Sequence, residues 1–375
     1  MEAPQLGLYI HIPWCERKCP YCDFNSHETR DIPESAYTDA LIEDLLQETR
    51  DRRREIQTVF IGGGTPSLFS VEAITRLMDA VRSAGLAEDA EVTMEANPGS
   101  VETARLQGYA RAGITRFSLG IQSFDDACLK SLGRIHDSDM ARRATAAARS
   151  CGARSYNIDL MHGLPEQSLD QGLADIRSAL ALKPPHVSWY QLTIEPNTRF
   201  YSNPPQLPAE AILGTLEEEG ARLLTAAGYE RYEVSAWAQP GQACQHNLNY
   251  WRFGDYLAIG AGAHGKLSAE NGDIFRYSKT RQPEDYLAAG GIERRAVRWL
   301  DESDRRGEFM LNALRLSAGF SWDLFESRTG LDGRQISATV TQLVDQGLLS
   351  QQQDQISTTD LGRRFLDDVV GAFFA

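Results

Sequence analysis

LGLYIHIPWCERKCPYCDF, residues 6–24, sets an apolar strand-like run directly against three closely spaced cysteines. The run 6–12 stops at Pro13, whose ring removes the N–H that a central strand needs. Cys15, Cys19 and Cys22 then fall in one short loop with the spacing C-x3-C-x2-C. Similar strand-like runs recur at 57–61, 90–94, 115–120, 154–160 and 186–192. Helical spacing fills the intervals at 34–54, 70–84, 101–112, 138–151 and 168–182. Such alternation predicts a parallel sheet built from βα units. The expected fold class is α/β, a partial (β/α)6 TIM-type barrel, in which ligands gather at the C-terminal ends of the strands. Every motif considered below follows a strand in this way.

The rest of the chain bounds the function. With 42% hydrophobic and 24% charged residues, the 375-residue chain reads as an ordinary globular protein. Its formal charge, 38 − 52 = −14, argues against nucleic acid as a partner. The N-terminus has no basic region followed by an apolar one, and no apolar run approaches the roughly 20 residues that span a bilayer. A cytoplasmic protein is expected, with peripheral docking at the inner face of a membrane left open. Cys128, Cys151 and Cys244 are scattered, which is no disulfide framework.

From about residue 300 the pattern changes to helices at 302–316, 320–328 and 333–347, strand-like pieces within 349–357 and a helix at 359–372. That is the outline of a winged-helix module. Over 301–375 it carries 7 Arg and no Lys against 12 acidic residues, so a structural or docking role is expected rather than DNA binding. The division expected is a barrel over 1–235, a connecting region over 236–298 that is irregular at 238–265, and the C-terminal module over 299–375. Oligomeric state is not legible.

Three thiolates in one loop admit three readings. They could be unconnected buried thiols, or a zinc site completed by His27 as a Cys3His set. They could also hold three irons of a [4Fe–4S] cubane, leaving the fourth iron open to an exogenous ligand. The residues around them favour the cluster. CxxxCxxC after a first strand resembles the signature of the radical S-adenosylmethionine (SAM) superfamily. Tyr9, His11, Pro13, Trp14, Pro20, Tyr21, Asp23 and Phe24 extend the resemblance to the oxygen-independent coproporphyrinogen oxidase branch. Within it, the chain is most similar to the HemW-type heme chaperones, over nearly its full length.

Further motifs follow the strands. Gly62-Gly63-Gly64-Thr65-Pro66 is a backbone run that a ligand can approach closely, and it lacks the Gly-Lys-Ser/Thr of a P-loop. Glu95, Gln122, Arg134 and Asp159 stand at or after successive strand ends, a mixed polar set of the kind a sulfonium ligand with a carboxylate, an ammonium and a ribose needs. The resemblance assigns SAM contacts to Gly63, Gly64, Thr65, Glu95, Gln122, Arg134 and Asp159, with Tyr9 and Tyr21 nearby. HNLNYW, 246–251, is similar to the heme-associated motif of the HemW-type proteins, which implies His246 as the heme ligand. Cys244 and His264 are competing ligands, and His11 reads as a packed or hydrogen-bonded strand residue.

Two functions share these cysteines. One is a heme chaperone that passes heme to recipient heme proteins, expected to be of the respiratory type. The alternative is a radical oxidase that decarboxylates the propionates of coproporphyrinogen III. The oxidase pattern has a further cysteine two positions after the third, where this chain has Phe24, and oxidases have a longer segment before the cluster motif. Only 14 residues precede Cys15 here. With HNLNYW, these features favour the chaperone, carrying a [4Fe–4S] cluster, SAM and heme, without oxidase activity.

Overall fold

The computed structural model describes residues 4–50, 54–100, 102–288 and 294–374. Six strands stand where the alternation predicts them: β1 Leu6–Ile12, β2 Ile56–Gly63, β3 Leu86–Ala96, β4 Arg116–Gln122, β5 Ser155–His162 and β6 His186–Gln191. All six are parallel neighbours in one sheet. Side-chain caps start most of the helices between them, Glu34–Thr49 and Thr103–Ala112 being the exceptions. Ser70 accepts a hydrogen bond from the Ala73 N–H, Asp137 caps Ser138–Ser150, and Ser168 forms a reciprocal capping box with Gln171. Gly113, at φ 110°, ends Thr103–Ala112 in the left-handed conformation that a side chain would resist.

The chain beyond β6 supplies more sheet. β7 Glu230–Glu233, β8 Ala236–Ala238, β9 Asp255–Ile259, β10 His264–Ser268, β11 Ile274–Ser278 and β12 Arg295–Trp299 extend it to twelve strands, in the order β12-β11-β10-β9-β1-β2-β3-β4-β5-β6-β8-β7. Of these strands only β9 and the start of β10 fall within the segment read as irregular, apart from Ala238 at the end of β8. β9 lies parallel beside β1, with Leu8 opposite Leu257. Its five residues between Gly254 and Gly260 are too short for a periodic signal, which is why 238–265 looked structureless. The sheet is mixed and open. β12 and β7 are its outer strands, so the barrel is partial, as expected.

The C-terminal module has helices Glu302–Ala313, Trp322–Thr329 and Arg334–Asp345. Its small sheet orders Phe320–Ser321, Gln355–Thr358 and Leu349–Gln352. The expected last helix is two, Asp360–Arg364 and Leu366–Gly371, broken where Phe365 adopts φ −113°, ψ 36°. Phe309, Phe320, Phe325, Ile336, Val340 and Ile356 form its core together with Phe253 and Ile274 of the barrel. At the opposite end of the sheet Arg315 pairs with Glu233 at 3.2 Å, and the Ser317 N–H donates to Tyr232 O. The module therefore touches both ends of the open sheet. Among the described residues no helix is long and apolar enough to cross a membrane.

One buried charge cluster fastens the β11 side to the helix Glu34–Thr49. Lys279, fully buried, donates to Asp44 at 2.6 Å and Glu48 at 2.9 Å, and Arg294 also engages Glu48. Burial holds the Asp44 carboxyl up at about 6 despite the lysine. Removing one partner of such a set leaves uncompensated buried charge. Lys279→Met is therefore expected to lower unfolding free energy by about 3–5 kcal/mol, read as a lower denaturation midpoint. An unchanged midpoint would mean that the cluster contributes nothing to stability.

Candidate functional site

The cysteine loop is closed at its base before any metal enters. Trp14–Cys15 pairs with His27–Glu28, and the His27 N–H donates to Pro13 O at 2.7 Å. Lys18 Nζ crosses the loop to the Phe24 and Ser26 carbonyls at 3.0 and 3.1 Å, and the Cys22 N–H turns back to Cys19 O. Each thiol has a polar neighbour, brought from elsewhere in the chain for Cys15 and Cys19 and from the loop itself for Cys22. Thr65 Oγ1 donates to Cys15 Sγ at 3.5 Å, Arg134 Nη1 to Cys19 Sγ at 3.7 Å, and Ser26 Oγ lies 3.9 Å from Cys22 Sγ. Burial raises the Cys15 and Cys22 thiols above their ordinary range, so metal binding there displaces protons. Among the described residues no three His, Cys, Asp or Glu converge as ligands of a single ion, as tetrahedral zinc with His27 requires. Thiolates that each bind a different iron of a cubane do not need to converge on one point.

The glycine run is dictated by the cysteine loop's own strand. The Gly64 N–H donates to Ile12 O and the Thr65 N–H to Trp14 O. A Cβ at Gly64 would lie 2.4 Å from Trp14 O, and one at Gly63 (φ 117°) 2.6 Å from the His11 ring. Both positions therefore need glycine before any ligand is considered. His11 itself is packed, with Nδ1 bonded to Tyr9 OH and Nε2 to Asn25 O.

Parallel pairing brings the remaining residues together. Gly62, Glu95, Ser118 and Asn157 share one face at one level of β2–β5, and Asp159 lies beside Ser188 two residues further along. Glu95, Ser118, Asn157, Asp159 and Ser188 line a cavity of about 490 Å³ at the strand ends. Cys15, Cys19, Cys22, Tyr21, Gly63, Gly64, Thr65, Glu95, Gln122, Arg134 and Asp159 all border it. Tyr9 does not. Its side chain lines the neighbouring cavity and stacks on Phe60.

The cavity's charges are poised. Burial, then the nearby Asp159, pushes the Glu95 carboxyl up to about 8, opposed by the Gly63 N–H it accepts at 3.1 Å. Burial also raises Asp159, which accepts from Ser118 Oγ and Asn157 Nδ2. Gln122 sits at φ 71° where the β4–β5 register shifts, so a bulge re-aims its amide to accept from Tyr190 OH. Arg134 donates to Gly120 O, but its Nε is buried without a partner among the described residues. Arg116, Tyr190 and Glu233 also line the cavity. Sequence reasoning passed over them, although Tyr190 stands near the end of the sixth strand like the others.

His246 is not presented to either cavity. It is fully buried in helix Gln245–Trp251, its Nδ1 bonded to Thr58 Oγ1 at 2.9 Å and its Nε2 to Tyr250 OH at 2.8 Å. Burial lowers its pKa to about 3, and no ring nitrogen is free. Cys244 is likewise buried, donating to Glu91. Tyr250 and Trp251 reach the second cavity, which measures about 790 Å³ between the barrel and the helix Glu302–Ala313.

Three cysteines in a strand-end loop, a glycine run behind them and a buried acidic and basic set thus border one cavity, the arrangement expected of a radical SAM protein. The model of the radical SAM superfamily matches residues 9–176, and that of the HemN C-terminal domain matches 300–365. The chain is 49% identical over 378 residues to the heme chaperone HemW of Escherichia coli (strain K12), covering 100% of both chains. It is 48% identical to that of Haemophilus influenzae, over 99% of this chain and 98% of the other. With the Bacillus subtilis heme chaperone HemW, it shares 32% over 98% of each. The chain belongs to the HemW family of radical SAM proteins. Its fold also matches a solved structure of E. coli coproporphyrinogen III oxidase HemN, at a TM-score of 0.84 and 22% identity, over 100% of this chain and 91% of that one.

The family implies a [4Fe–4S] cluster and SAM, and the residues suit both. Each thiol has a polar neighbour, and the orphaned Arg134 Nε and the poorly solvated Glu95 carboxyl lack the charged partners that a zwitterionic ligand would bring.

Proposed function

We propose that this chain holds a [4Fe–4S] cluster on Cys15, Cys19 and Cys22, binds SAM at its open iron, and carries heme to recipient heme proteins. When bound, the cluster supplies an iron that anchors the methionine end of SAM and an electron that can enter it. Glu95 accepts the ligand's ammonium, and the free Arg134 N–H takes a carboxylate oxygen. Tyr21, Gly63, Gly64, Thr65, Gln122 and Asp159 enclose the remainder, with Tyr9 behind Phe60. In this reading 1–235 is the cofactor unit, 236–298 the heme region and 299–375 the docking module. Delivery takes place in the cytoplasm to respiratory-type recipients. With a charge of −14, docking at a membrane's inner face would rest on protein contacts rather than on anionic lipid.

Phe24 is the observation that carries this reading. It stands where the oxidase branch has its extra cysteine, is 58% exposed, and forms wall in both cavities. A phenyl ring there can neither ligate nor transfer a proton, but it can pack on an apolar cargo. The full-length relatives named heme chaperone support the same conclusion.

Anaerobically reconstituted protein, titrated with heme, is expected to bind one equivalent per chain. Incubated with coproporphyrinogen III, SAM and reductant, it is expected to form no protoporphyrinogen. Turnover that disappears with Cys19→Ala would instead put the oxidase reading first.

A further inference from the structure

The second cavity is built by register. His264 pairs with Ser278, Lys266 with Arg276, and Tyr256 with Lys266, so β9, β10 and β11 turn these side chains to a common face. Tyr9, Phe24, Tyr250 and Trp251 add aromatic wall, and Leu311 of the helix Glu302–Ala313 closes the far side. Phe24 and Leu311 are 58% and 52% exposed, apolar surface that a monomer rarely offers within a concavity. The volume, about 790 Å³, lies inside the roughly 300–1,000 Å³ usual for cofactor sites.

Its basic groups outside His11 are of two kinds, and the carboxylates Asp23 and Glu95 also border it. Lys266 and Arg276 are held by the protein. Lys266 donates to Asp255 and two carbonyls, and Arg276 to Glu308 and Tyr256 OH. By contrast, the exposed Arg281 guanidinium and the exposed His264 ring have no hydrogen-bond or ion-pair partner among the described residues. An aromatic-walled cavity with an unpartnered imidazole, a free guanidinium and a second one beside it fits a large planar apolar ligand that bears a metal and carboxylates.

We infer that the second cavity is the heme site, with His264 as the axial ligand and Arg281, assisted by Arg276, receiving the propionates. This rests on the carrier reading above and locates its cargo. Heme then lies against Phe24, across one phenyl ring from the cysteine loop. The HNLNYW motif contributes through Tyr250 and Trp251, while His246 fastens their helix to β2 through Thr58.

Ferric heme and iron-free protoporphyrin IX, titrated into the full-length reconstituted protein and its variants, test the site through absorption and electron paramagnetic resonance spectra. His264→Ala is expected to lose the histidine-ligated signature and weaken heme about tenfold or more, leaving the iron-free porphyrin unaffected. Arg281→Glu, a surface change that the fold tolerates, is expected to weaken both porphyrins about tenfold. Wild-type protein that binds heme but keeps its spectrum and affinity in both variants would overturn this site and leave the carrier reading standing. Loss of the signature in His246→Gln but not in His264→Ala would place the heme on the motif histidine instead. Wild-type protein that takes up no heme at all would overturn the carrier reading, and this site with it.

Discussion

Cys19→Ala is expected to abolish the cluster outright. Iron and sulfide after anaerobic reconstitution should fall from about four each per chain to background, with loss of the charge-transfer absorption. The far-ultraviolet circular dichroism should not change, because the loop is held by backbone pairing and by Lys18 rather than by the thiol. Cys19 is only half-buried and belongs to no core cluster. Arg134→Leu, which removes the group donating to Cys19 Sγ, should be milder, about 10–100-fold in cluster affinity or retention. Wild-type iron and sulfide in Cys19→Ala would show that the triplet is not the ligand set.

Glu95→Gln is expected to change the pH dependence of stability in protein free of cluster and SAM. The folded-state value of Glu95, about 8, lies above the ordinary 4.5. Between those limits the unfolded chain has released the proton that the folded protein still holds. Stability therefore falls as pH rises from about 4.5 to about 8, and the loss is complete above that. The full difference corresponds to roughly 4–5 kcal/mol. Glutamine keeps the shape and never ionises, so the variant should gain on wild type from about pH 5 to about pH 8 in thermal melts and hold that gain above it. Parallel curves for the two proteins would mean that Glu95 is solvated. Bound SAM should remove the difference in wild type by supplying an ammonium, linking site chemistry to stability.

Most of the parallel sheet was legible because β1–β6 are separated by helices with clear periodicity, most of them side-chain capped. The same order placed the cysteine loop, Gly63–Thr65, Glu95, Gln122 and Asp159 on neighbouring strands or just after them, whereas Arg134 follows the helix Asp126–Ser131 and only its side chain reaches back to Gly120 and Cys19. β9 was not legible. Five residues between glycines carry no period, and only pairing with β1 makes them a strand. Phe365 hid the break in the last helix because propensity does not reveal a single non-helical residue.

By itself the sequence determined the chemistry. Thiolate spacing, the glycines that let β2 meet the cysteine loop, and Phe24 in place of a further cysteine are local facts about residue type. Tertiary structure alone decided accessibility. His246 and His264 both follow glycine- or aromatic-rich stretches and look alike as ligands in one dimension. Thr58 and Tyr250 close both nitrogens of the first, while the second borders the cavity from β10 with no hydrogen-bond partner among the described residues. Whether a ring nitrogen is free depends on partners brought from distant parts of the chain, and so only the folded packing decides it.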